Sequence, residues 1–298
     1  MACAVLLAIS LPANAQIFTG GTSNDYGTAG NWSTSSVPNL TSGATALINN
    51  GDAVTYNPGG DFVIDNNSTL EVSNGSWTQI NSNNWIQLEG NGTVLVNGGT
   101  FNQGTAANTP FNISNTGNVF TITSGAANFN SGLASTSAGV TYNFNGGVTT
   151  FNGEIDYNTN NNILFNGGIV NATLVTGVNN ASHGILTFEA GQLNLSSGFG
   201  IYAPATTDPL NFTLGSTASI NFEAVAASTV QGWVNSGIIT YGGVTAPSDF
   251  TVTSTGLNSS ILSAVVVETP EPSTYVMLGV GLAVLVIAVR RRTAQATR

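Results

Sequence analysis

The side chains in this 298-residue chain that could do chemistry are nearly all acidic. Glu154 and Asp156, in Gly153-Glu154-Ile155-Asp156-Tyr157, stand two residues apart. On a strand such a pair shares one face, about 6.6 Å apart along the chain. That lies within the roughly 5–10 Å separation that glycoside hydrolysis asks of two carboxylates. Tyr157 beside them offers a ring on which a sugar can stack. Asp61 and Asp65 form a second local pair. The same residues also serve as solvated acids that keep a nearly uncharged body soluble, and this is the reading adopted. The chain is expected not to be an enzyme. A secreted glycan-degrading enzyme using Glu154 and Asp156 is the alternative.

The residue types that are missing exclude more. Only 6% of residues are charged, with four basic against fourteen acidic, giving a net charge of −10 and a pI near 4.1. The four basic residues are Arg290, Arg291, Arg292 and Arg298, so residues 1–289 hold neither Lys nor Arg. Nucleic-acid binding by the body is excluded, because neutralising phosphates needs a cationic patch. P-loop chemistry and an Arg-clamped active site fall with it. One cysteine, Cys3, rules out a disulfide framework. One histidine, His183, set in an Asn-Ala-Ser-His-Gly turn, argues against a His-based zinc site or triad. No stretch has the DxDxDG spacing of a calcium loop. Neither metal nor cofactor is expected.

Something must position what polar groups there are, and the repetition in the chain shows what. Glycine is abundant, 36 residues or about one in eight, against a usual ~7%. Aligned by their turns, Gly51, Gly75, Gly98, Gly125, Gly146, Gly167, Gly191, Gly215 and Gly242 succeed one another at steps of 21 to 27 residues. Local wording repeats with them: TVLVNGGTFN (93–102), YNFNGGVTTFN (142–152), NILFNGGIVNAT (162–173) and LTFEAGQLNL (186–195). A fixed period of this size marks a solenoid. The flanks alternate apolar and polar residues, so the units are strands, not helices. An all-β parallel solenoid of about nine rungs is therefore predicted over 51–250. Inward Val, Ile, Leu and Phe stack rung on rung, and asparagines in equivalent places form amide ladders. An antiparallel sandwich is the rival, since Asn-Gly also marks hairpins. Near-constant spacing favours the solenoid. Trp77, Trp85 and Trp233 are read as core residues ahead of a carbohydrate-stacking strip.

The two ends carry addresses. Residues 1–15 run from an apolar stretch to Ala13-Asn14-Ala15, the small-x-small pattern that signal peptidase accepts after Ala15. At the other end Pro270-Glu271-Pro272 precedes an uncharged apolar run, 275–289, and then Arg290-Arg291-Arg292. The run, taken as a helix, covers only about 22 Å, so snorkelling arginines and flanking residues must help it span a membrane. The arginines belong on the cytoplasmic side.

This order of Pro-Glu-Pro, apolar run and arginine cluster resembles the PEP-CTERM sorting tail of bacterial surface proteins. The resemblance implies an exosortase as processing partner, a cut near residues 270–272, and delivery to the cell surface or extracellular polymer. The first mature segment adds to it, with Phe18-Thr19-Gly20-Gly21, Asn31-Trp32 and Val37-Pro38-Asn39. It is similar to the opening of autotransporter-like, PEP-CTERM-associated proteins. Physically it would cap the first rung, with Phe18 and Trp32 over the open core. The expected division is signal peptide 1–15, cap 16–50, solenoid 51–250, linker 251–269 and sorting tail 270–298. The expected role is a surface or matrix structural protein or adhesin, associated with exopolysaccharide or biofilm.

Overall fold

The computed structural model describes residues 15–265, apart from 58–59, 81–83, 105–110, 114–115, 136–138, 158–161, 179–184 and 202–209. Ala13, His183 and the whole tail, with Pro270, Glu271, Pro272, Arg290, Arg291 and Arg292, lie outside these.

After a short strand β1 (Ala15–Ile17), the chain winds in three-stranded layers. The first holds β2 (Thr45–Ile48), β3 (Ala53–Tyr56) and β4 (Phe62–Ile64), and the second β5 (Thr69–Val72), β6 (Ser76–Gln79) and β7 (Ile86–Leu88). In the third to fifth layers the first two strands run on as one: β8 (Thr93–Asn102) with β9 (Phe111–Ile113), β10 (Val119–Phe129) with β11 (Leu133–Ser135), and β12 (Thr141–Phe151) with β13 (Ile155–Tyr157). In the sixth and seventh all three merge, as β14 (Asn162–Val178) and β15 (Ile185–Ile201). Every strand pairs in parallel with its equivalent one layer on.

The alternating pattern explains the register. Ile48, Val72, Val96, Ile122, Phe144, Phe165, Phe188 and Phe212 form one inward column, each within a strand whose neighbours point outward. Phe62, Ile86, Phe111, Leu133, Ile155 and Val175 form another along the third strands. Slipping one residue would turn a whole column into water. Rings in register stack at layer spacing, as Phe165 on Phe188 does with centroids 4.4 Å apart and planes 4° apart. The core is continuous from Phe18 to Leu262, so no layer is buried alone.

Seven complete layers stack and an eighth is begun in parallel on the last, the chain climbing about six turns from the first complete layer to the seventh, not the nine rungs expected. The difference lies in the last two glycines of the repeat. Gly215 turns between β16 (Leu210–Phe212) and β17 (Ser219–Phe222), but no third strand comes after it. Helix α1 (Ala227–Asn235) takes its place, burying Val230 and Val234. Gly242 comes just after β18 (Ile239–Tyr241), which leads to the hairpin of β19 (Phe250–Gly256) and β20 (Ser259–Ala264). The expected linker 251–269 is thus strand as far as Ala264. β20 pairs antiparallel with β17, Ser219 opposite Ser263. That reversal ends the parallel stack along the second strands, while along the first β18 still pairs in parallel with β16.

The cap is likewise shorter than 16–50, because β2 already belongs to the first layer. Phe18 and Trp32 are buried at its base, rings edge to face at 5.2 Å. Buried Asn31 ties the loop together: Oδ1 accepts the amides of Thr22 and Ser23, and Nδ2 donates to the carbonyl of Asp25. Among the described residues no helix is long and apolar enough to cross a membrane, and 275–289 fall outside them.

Candidate functional site

Of the four candidate carboxylates, those of Asp61 and Asp65 hold local structure. Glu154 is exposed immediately before β13, and its carbonyl accepts the amide of Leu133 at 2.9 Å. Asp156 lies on β13 in register with Ala134 and Thr176, and its side chain is outside the described set. Asp61 clamps the next layer: Oδ1 accepts the amide of Trp85 at 2.9 Å and Oδ2 accepts Nε2 of Gln87 at 2.6 Å. Asp65 accepts the amide of Asn66 at 2.6 Å. Among the described residues no three metal-ligating side chains cluster. Trp77 is fully buried and stacks on Phe101 at 4.9 Å. Trp233, on α1, packs against Phe199 and Phe222. Trp85, just before β7, is only partly buried. Ala15 opens β1, in register with Thr45.

The outward face of the second strands is a ladder of neutral hydrogen-bonding groups. Thr78, Asn102, Asn128, Thr150, Asn171, Asn194 and Asn221 occupy equivalent positions in successive layers. Asn102 donates to Oγ1 of Thr78 at 3.0 Å, and Asn128 to Oδ1 of Asn102 at 2.9 Å. Asn194 repeats the contact on Asn171 at 2.8 Å. Turn asparagines do so too, Asn91 on Asn67 and Asn152 on Asn130. The amides satisfy one another along the stack while their free lone pairs and N–H groups face water.

A feature that sequence reading did not foresee lies where the cap meets the first layer. The open edge of β2 is closed by β1, and that of β3 by Asn24, whose carbonyl accepts the amide of Thr55 at 2.7 Å. Among the described residues the edge of β4 is closed at one point only, by the amide of Asp65 donating to the carbonyl of Leu40 at 2.7 Å. Between residues 37–41 and β4 a cleft of about 320 Å³ remains. Phe62 and Ile64 direct their peptide groups to the second layer, Phe62 donating to Trp85 and Ile64 accepting from Glu89. Val63, between them, therefore turns its N–H and C=O toward the cleft, and no described group bonds to either.

Aromatic rings line that cleft. Tyr26 meets Tyr56 and Phe62 edge to face, each at 5.5 Å, and Tyr56 lies over Trp77 at 5.8 Å. Tyr26 is buried, and its hydroxyl has no partner. Burial pushes its pKa well above the usual phenol value, with the Tyr56 phenol adding to the effect. Tyr56 is half-buried; burial first, then the nearby Asp61 carboxylate, push its pKa up to about 12. The signals in the sequence were Tyr26, Tyr56 and Asp61, but no spacing rule joins residues 30 positions apart.

Fold and surface together define a capped parallel β-solenoid whose polar exterior carries few charges, all of them acidic. Residues 268–292 match the PEP-CTERM protein-sorting motif. That segment includes Pro270, Glu271, Pro272 and Arg290, Arg291 and Arg292. The motif is the recognition signal for exosortase processing, and it implies an exported protein. No curated protein and no solved structure matches the chain.

Proposed function

We propose that this is a non-catalytic structural or adhesive component of the cell surface or extracellular matrix, put in place through its sorting tail. The observation that carries the reading is the sorting motif at 268–292 joined to a repetitive, capped body. In this reading signal peptidase cuts after Ala15. The segment 275–289 then holds the chain in the inner membrane with Arg290, Arg291 and Arg292 on the cytoplasmic side. An exosortase cuts near residues 270–272 and frees the body outward. The Asn/Thr ladder supports association with extracellular polysaccharide. Glycan hydroxyls need neutral donors and acceptors, and a regular array of them gives many weak contacts at once.

Mass-spectrometric mapping of the C-terminus, fraction by fraction from the producing cells, tests the reading. A terminus near 270–272 in the surface or medium fraction is expected. An intact Arg298 confined to the membrane fraction would show the tail to be a plain anchor and overturn the processing step.

A further inference from the structure

We propose that the cleft between residues 37–41 and β4 is a binding site for a neutral sugar unit of a polysaccharide. Its volume, about 320 Å³, sits at the small end of ligand clefts. Its walls combine two things that rarely occur together by accident: aromatic rings, and polar groups the protein leaves without partners. The ring that reaches the cleft is the half-buried Tyr56, backed by the buried Tyr26 and Phe62. The unmatched groups are the N–H and C=O of Val63, one donor and one acceptor.

The chemistry of these walls selects the ligand class by elimination. A wholly apolar ligand would seal the Val63 N–H and C=O away from water with nothing to bond, at a cost of about 1–3 kcal/mol per group. An anion finds no cation, since residues 1–289 contain no Lys or Arg, and it meets the carboxylate of Asp61. A peptide strand needs a run of free edge. The bond from Asp65 to Leu40 closes the edge after Val63, leaving a single peptide unit. A pyranose fits every requirement, with an apolar C–H face for the rings and hydroxyls that both donate and accept. Asp61 is a ready acceptor at the rim. Trp85 and Gln87 hold its carboxylate in place, and each of its oxygens keeps a further lone pair.

The site deepens the proposed matrix role by placing polysaccharide contact at the cap. It depends on that role only for the source of the ligand. The test titrates the full-length protein in detergent with an array of neutral oligosaccharides of hexoses, pentoses and N-acetylhexosamines, and with oligogalacturonate as the anionic probe. At least one neutral sugar is expected to bind, and oligogalacturonate to bind more weakly. Thr41→Trp is expected to weaken binding by roughly tenfold or more, because Thr41 is an exposed residue of the cleft wall and indole would fill the space. Gly27→Trp, at another exposed residue of the cleft where an added Cβ meets nothing closer than the Asp25 carboxylate at 3.6 Å, should weaken binding by a similar factor. It serves as the second variant if Thr41→Trp unfolds early. No neutral binding, preference for the anion, or binding unchanged in both variants would overturn the assignment. The two readings fail separately. A protein cut near 270–272 that binds no neutral sugar loses the cleft site and keeps its processing; sugar binding with Arg298 still attached does the reverse.

Discussion

Asn128 donates from Nδ2 to Oδ1 of Asn102 at 2.9 Å, joining residues 26 positions apart that lie one layer apart on the outward face. The pair shows how a solenoid turns repetition into stability, since each amide completes the one below it. Asn128→Asp replaces the donor with an ionised acceptor facing another acceptor. A loss of about 1 kcal/mol is expected at pH 7, read from urea unfolding. The loss should shrink near pH 3, where the acid is protonated and can donate again.

Thr149 breaks the rule of the inward columns. It stands between Ala127 and Val170 in register, only 1% exposed, and its hydroxyl has no partner. A buried hydroxyl without a bond costs roughly 1–3 kcal/mol. Thr149→Val keeps the branched shape and removes that cost. The variant should unfold at higher urea with an unchanged slope, by about 1 kcal/mol; an equal or lower midpoint would mean that the hydroxyl is satisfied in solution.

How much of the molecule was legible beforehand depended on the range of the signal. The layers were legible because their cause is local and repeated: NGG at 166–168 or 97–99 sets a corner, and the residues on either side alternate. The ends were not. Gly215 and Gly242 keep the repeat's spacing, yet the chain beyond them turns into α1 and an antiparallel hairpin, because a stack must stop somewhere. Within α1 the Val230–Val234 spacing was the available clue, in a segment with Ser, Thr and Gly that lacks a full apolar stripe. The cleft was beyond any pattern. It arises from one missing edge contact at Val63, a consequence of how the 37–41 segment lies on β4.

Gly125 sits at a corner with φ +85°, and a Cβ there would strike the carbonyl oxygen of Gly99 in the layer below. Both the left-handed conformation and the backbone contact forbid a side chain. Gly125→Ala should therefore cost at least ~2 kcal/mol, more than the ~1 kcal/mol of left-handed strain alone. Gly215→Ala is the control: its φ is +79° but nothing lies within reach of a Cβ, so only the strain remains. Denaturation midpoints of the two variants separate the terms. Equal losses would mean that the layers part easily at Gly125.

Glu71 faces outward on β5, in register between Leu47 and Leu95. Burial raises its pKa above the usual carboxylate range. A group raised on folding holds its proton more tightly in the native state, so stability is greatest below the unfolded pKa and falls as pH rises through the folded one. Ionised Glu71 is thus a liability at neutral pH. Glu71→Gln should raise the melting temperature at pH 7 and leave it unchanged near pH 3.

The same sign applies at alkaline pH to Tyr56, whose pKa of about 12 exceeds the ordinary 10.0 because of burial and then the Asp61 carboxylate. Between about pH 10 and 12 the folded protein retains a proton that the unfolded chain has lost, so stability must fall across that window. Tyr56→Phe removes the titration and should flatten the fall, with Tyr26 supplying what remains. Phenolate absorbance, followed beside the backbone signal, checks this through the difference between the parent protein and Tyr56→Phe. The part of the absorbance lost in the variant should have risen together with unfolding, not ahead of it. Tyr56 ionising early, in a chain still folded, would mean that the cleft is open enough to hydrate the phenolate, and that its walls are less dry than the packing of Tyr26, Tyr56 and Phe62 requires.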